Sequence, residues 1–105
     1  MSFRFQDQVL VVTGAAQGIG LRVAERAAAE GAKLVIVDRA THIQNIAGAL
    51  TESGCEVLAV EADLETFEGA ATAMDAATER FGRIDKLINN VGGTIWAKPY
   101  EHYQP

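Results

Sequence analysis

The residues best suited to chemistry are the run Thr13-Gly14-Ala15-Ala16-Gln17-Gly18-Ile19-Gly20, with glycines in a G-x-x-x-G-x-G spacing. Glycine permits a tight turn and lets backbone approach a bound group closely. A helix starting there offers free N–H groups and a positive dipole end to a pyrophosphate. The spacing is two residues longer before the second glycine, and one residue longer overall, than the G-x-G-x-x-G dinucleotide fingerprint. An ordinary strand-to-helix turn is the bland alternative; the apolar run before it and the helical pattern after it favour the phosphate cradle. Asp38 follows 18 residues after Gly20, at the end of a second apolar run. An acid in that place can accept hydrogen bonds from an adenosine ribose and repel a 2′-phosphate, which favours NAD over NADP. Its competing role is a helix cap or solvated loop acid. Arg39 is a complication, because a neighbouring guanidinium could help hold a phosphate. With Asp38 present and no basic residue among Ala15, Ala16 and Gln17, NAD is the expected cofactor.

These residues need elements to position them. Four short apolar runs read as strands: Gln8 to Val12, Lys33 to Val37, Glu56 to Val60 and Lys86 to Asn89. The first two are continuous and rich in β-branched residues, as strands covered on both faces would be. Three helical stripes lie between them. They are Gly20-Val23-Ala24-Ala27-Ala28, then Ile43-Ile46-Ala47-Leu50, then Phe67-Ala70-Ala71-Met74-Ala77-Phe81. Gly31, Gly54 and Gly82 stand where left-handed C-terminal residues are expected. The order β-α-β-α-β-α-β predicts a parallel, doubly wound sheet of the Rossmann type in three αβα layers, here as a four-strand portion. In the strand order 3-2-1-4-5-6 the fourth strand is internal. Left as an apolar edge it would need cover. The expectation is therefore that residues 1–105 are the N-terminal part of one dinucleotide-binding domain, or depend on a partner.

Composition narrows the classes of function. Of 105 residues, 49% are hydrophobic and 22% charged, values of an ordinary globular chain and not of a disordered tail. A formal net charge of −5 argues against broad nucleic-acid binding. No apolar run reaches membrane-spanning length, and the first residues lack the apolar stretch of a signal peptide. A soluble, cytoplasmic chain is expected. Cys55 is the only cysteine, so no intrachain disulfide can form and a partly buried reduced thiol is expected. His42 and His102 have no acid or cysteine at ligand spacing, and no metal site is predicted. Thr13 lacks a Ser-His-Asp grouping that would suggest hydrolysis. Glu61, Asp63, Glu65 and Glu68 suit the start of the third helix through its dipole.

Taken together, Thr13-Gly14-x-x-x-Gly18-Ile19-Gly20, Asp38, Asp63-Leu64 and Asn89-Asn90-Val91-Gly92 resemble the short-chain dehydrogenases/reductases across essentially the whole chain. The resemblance implies that Gly14, Gln17, Gly18, Ile19 and Gly20 line the pyrophosphate and the approach to the nicotinamide. It implies that Asp38 holds the adenosine ribose, that Asp63 and Leu64 contact adenine, and that Asn90 and Gly92 border the cofactor's ribose. Asp63 has a bland alternative as a cap of the third helix. Asn90 is expected also to stitch backbone groups between strands. Val91 stands where the family usually has alanine. The family's catalytic Ser, its Tyr with a Lys four residues later, and its additional Asn all fall downstream of the fourth strand. Neither Tyr100 nor Tyr103 is followed by Lys at that spacing, so no catalytic residue is assigned here. The 105 residues alone are expected to bind NAD weakly and not to catalyse.

Arg4-Phe5-Gln6-Asp7 and Asn89 to Pro99 carry a narrower resemblance, to the benzoate cis-dihydrodiol dehydrogenases of bacterial aromatic degradation. It implies a small cyclic diol carboxylate as substrate and hydride transfer to NAD, while the broader family resemblance implies a homo-oligomer at full length. In such an enzyme Trp96 could form an apolar wall and Lys98 attract the carboxylate, against a bland reading as a packed Trp and a solvated Lys. Two other functions stay open: a short-chain dehydrogenase with another alcohol substrate, and a non-catalytic dinucleotide-binding module.

Overall fold

In a computed structural model, the described residues are 5–63 and 66–90. Continuous apolar runs cannot shed water on one face alone, and here they lie side by side between two helical layers. The elements are β1 (Val9–Thr13), α1 (Gly18–Ala29), β2 (Lys33–Asp38), α2 (Ile43–Glu52), β3 (Val57–Glu61), α3 (Phe67–Phe81) and β4 (Lys86–Ile88). The strands form one sheet in the order β3-β2-β1-β4, with every pairing parallel. Each strand lies within about a residue of its predicted run.

Side-chain alternation divides the sheet between two cores. Leu10, Val12, Leu34 and Ile36 pack with Ala24 and Ala27 of α1 and with Ile43 and Leu50 of α2. Val11, Val35, Val37 and Val60 pack instead with Ala73 and Ala77 of α3. The chain therefore steps outward from β1 through β2 to β3 on one side. It then returns along the other face to place β4 on the far side of β1. That reversal leaves a crevice between the carboxyl ends of β1 and β4, the place where open α/β sheets bind ligands.

The helix ends follow local rules. Gly31, Gly54 and Gly82 have φ of 91°, 102° and 78°, as expected after the three helices. Thr66 is the N-cap of α3, its Oγ1 accepting from Gly69 N at 2.9 Å. Asp63, the cap suggested by the sequence, instead offers its carbonyl oxygen to Thr66 N and Thr66 Oγ1, one turn too early to cap. Of the four acids expected to favour this helix start, Glu68 lies in its first turn. Phe67 also departs from expectation: placed in the buried stripe by its spacing, it is 87% exposed. It lies six positions before Ala73, roughly 100–120° around the helix from the face that meets the sheet. No helix among the described residues is long and apolar enough to cross a membrane.

Candidate functional site

The glycine run leaves β1 at the crevice and turns into α1. Gly14 has φ 62°, and a Cβ there would overlap the Asn90 carbonyl oxygen just beyond β4. Gly20 presses against the carbonyl of Gly14, and the Asn90 amide Nδ2 lies 3.0 Å from where its Cβ would be. These two glycines let the turn nest against the end of β4. Gly18 differs: φ is again 62°, but a Cβ there would meet nothing within 4 Å. Open space lies before it.

The start of α1 is suited to an anion. Gln17 occupies the N-cap without a side-chain hydrogen bond to the helix, and the first turn contains no acid. The N–H groups at a helix start lack intrahelical partners, and the dipole favours negative charge there. The start of α3, by contrast, has both the Thr66 cap and Glu68. Ile19, 48% exposed, sits beside this open N-terminus.

Asp38 ends β2 next to the same turn. Its Oδ2 accepts from Ala16 N and its Oδ1 from Ala40 N, both at 3.0 Å. Two backbone N–H groups thus orient the carboxylate. A carboxylate has about four acceptor positions, so two remain for a vicinal diol. The same geometry refines the sequence argument about cofactor choice. Ala15 and Ala16 are 0% and 4% exposed, so of the three positions lacking a basic side chain only Gln17 faces solvent. Arg39, also exposed, is the one cation adjoining Asp38 in sequence.

Thr13 and Asn90 join β1 to β4. The Thr13 hydroxyl, 3% exposed with its residue, donates to Asn89 Oδ1 at 2.9 Å and accepts from Asn90 N at 2.7 Å. On its β1 side Asn90 is joined through its backbone N–H to the Thr13 hydroxyl. Sequence reasoning weighed Thr13 only as a nucleophile and missed this role. It also set His42 aside, whereas His42 Nε2 lies 3.0 Å from Ala16 O. The sequence contains no signal for that contact.

Gly14, Gln17, Gly18, Ile19, Gly20, Asp38 and Asn90 thus gather around one crevice at the carboxyl end of the sheet. Asp63 follows β3, two strands from the crevice. Leu64 and Gly92, and with them Val91, Trp96, Lys98, Tyr100, His102 and Tyr103, lie outside the described residues. A cavity of about 770 Å³ lined by Asp7, Glu25, Lys33, Cys55 and Glu56, among others, opens at the opposite end of the strands. It is remote from the crevice and predominantly acidic, which suits no phosphate. Burial, and then the Glu56 charge, push the Cys55 thiol up, away from the reactive thiolate.

The profile of one family, described as short chain dehydrogenase, matches residues 8–105. The chain belongs to the short-chain dehydrogenase family. It is 62% identical over 104 residues to the 1,6-dihydroxycyclohexa-2,4-diene-1-carboxylate dehydrogenase of Pseudomonas putida, covering 99% of this chain and 38% of that protein. The chain therefore spans about two fifths of the length of this short-chain dehydrogenase relative. A short-chain dehydrogenase from Burkholderia phymatum in complex with NAD superimposes with a TM-score of 0.77 and 34% identity, over 79% of this chain and 30% of that one. L-Sorbose reductase from Gluconobacter frateurii, complexed with NADPH and L-sorbose, gives a TM-score of 0.83 and 38% identity, over 88% and 36%. The Rossmann-type fold is common to this chain and both of these structures.

Proposed function

We propose that this chain supplies the NAD-binding part of an oxidoreductase acting on a benzoate-type cis-dihydrodiol carboxylate. The observation that carries the cofactor reading is the uncapped, acid-free start of α1 beside the oriented carboxylate of Asp38. Gly14, Gln17, Gly18, Ile19 and Gly20 would receive the pyrophosphate. Asp38 would accept from the adenosine ribose hydroxyls, with Arg39 flanking. Asp63 and Leu64 would meet adenine, and Asn90 and Gly92 the second ribose. NAD, when bound, supplies the hydride acceptor.

The substrate reading rests on the 62% identity to a protein named for that reaction. Hydride leaves the carbinol carbon of the ring and its hydroxyl proton is released, giving a ketone β to the carboxylate. Loss of carbon dioxide then leaves its bonding electrons as a new ring double bond with the ketone oxygen as enolate, and protonation of that oxygen gives a catechol. The base that takes the hydroxyl proton belongs to residues outside this segment, in keeping with its 38% coverage of the relative. The full-length protein is expected to be a homo-oligomer.

Calorimetric titration of the natural polypeptide with NAD and NADP tests the cofactor reading. NAD is expected to bind at least about tenfold more tightly, the size of a hydrogen bond to a charged group. Asp38→Ala should weaken NAD and narrow the difference. Tighter binding of NADP would shift the assignment to Arg39, and failure of both to bind would reject the dinucleotide reading. Release of carbon dioxide and catechol from the diol carboxylate tests the substrate separately; turnover of another alcohol alone would reject it.

A further inference from the structure

His42 stands at the N-cap of α2 but makes no side-chain hydrogen bond to its own helix. Its Nε2 instead reaches the turn after β1, 3.0 Å from the Ala16 carbonyl oxygen. A carbonyl oxygen only accepts, so the contact requires the proton on Nε2. The N–H of the same residue is held by Asp38 Oδ2. Ala16 is therefore gripped on both its N–H and its C=O by side chains four residues apart, on the segment joining β2 to α2. Its methyl group is buried, which leaves the residue little freedom. The next two residues are Gln17 and Gly18, where the open N-terminus of α1 begins. His42 is itself exposed, so burial of an apolar ring is not what its position achieves.

We propose that His42 is a positioning residue for the dinucleotide. With Asp38 it fixes the Ala16 backbone and presets the N–H groups of the α1 start for a pyrophosphate. Holding the turn in its binding form removes part of the ordering cost that a ligand would otherwise meet. His42 acts through Ala16 and not by touching the ligand. The inference rests on the proposed dinucleotide function.

The test compares wild type, His42→Ala and His42→Gln in the natural polypeptide. NAD affinity is measured by calorimetry, hydrogen exchange at the Ala16 amide by NMR, and the thermal midpoint by calorimetric scan. His42→Ala should weaken NAD about three- to tenfold, the worth of one hydrogen bond. It should also speed exchange at the Ala16 amide, which Asp38 holds, while moving the thermal midpoint little. His42→Gln, whose side-chain amide can also donate, should recover most of both effects. Unchanged affinity and exchange in His42→Ala overturns the proposal, as does a His42→Gln variant no better than His42→Ala. A wild-type protein that takes up no NAD overturns both the proposed function and His42's role in binding. A wild type that binds NAD while His42→Ala changes nothing overturns the His42 role alone.

Discussion

Gly14 and Gly18 share a φ of 62°, but their surroundings require glycine for different reasons. At Gly14 a side chain would meet the left-handed backbone penalty and also collide with the rigid Asn90 carbonyl. At Gly18 only the backbone penalty applies, because nothing stands within 4 Å. Gly14→Ala is therefore expected to cost about 2–5 kcal/mol, the sum of a left-handed penalty and an overpacking cost. Gly18→Ala should cost about 1–2 kcal/mol from the backbone alone. Urea unfolding of the two variants checks this, and equal losses would contradict it. The spacing of the glycines was legible in the sequence. Which glycine serves packing and which leaves a space open was not, because Asn90 lies 76 positions from Gly14 along the chain.

At the scale of elements, the crevice depends on how firmly β1 holds β4. The register Leu10↔Lys86, Val11↔Leu87, Val12↔Ile88 supplies three pairs, and the Thr13 hydroxyl extends the join past the last of them. Thr13→Val keeps the shape but leaves the Asn90 N–H and Asn89 Oδ1 without this partner. The expected loss is about 1–3 kcal/mol, whereas Thr13→Ser should retain most of the stability. A denaturant series on both variants decides it; a Thr13→Val protein as stable as wild type would rule the latch out. The strands and helices themselves followed from hydrophobic period and glycine punctuation. Phe67 misled because its spacing fits a helical stripe, while the true buried face of α3 is set by the small residues Ala73 and Ala77 that let the helix approach the sheet.

Across the whole molecule, Asp85 ties the turn before β4 to the first residue of β1. Its Oδ2 accepts from Val9 N at 2.8 Å, its Oδ1 accepts from Arg83, and its backbone N–H donates to Val9 O. The Arg83 hydrogen bond first, then the Val9 N–H, hold the carboxyl below its ordinary value. A carboxyl depressed in the folded state adds stability above its unfolded value, and that stability is lost as pH falls through the folded one. The urea midpoint of wild type should therefore fall on acidification below about pH 4. Asp85→Asn, which cannot change charge, should show a shallower fall over the same range. Identical slopes would remove Asp85 from the acid response. The sequence did not single out Asp85, since an acid between a helix and a strand has many solvated roles.

What the sequence determined alone was the local and periodic part: parallel strands from continuous apolar runs, helices from their stripes, a phosphate-cradling turn from its glycines, and the strand order from the doubly wound alternation of strands and helices. These depend on neighbours within a few residues, or on several ordered motifs together. Only the tertiary structure decided the partners across the sheet. Thr13 meets Asn90, Asp38 and His42 grip Ala16 from both sides, and Asp85 holds Val9. Each is a hydrogen bond between residues far apart in the chain, whose distance is set by sheet order and register; residue type alone does not encode it.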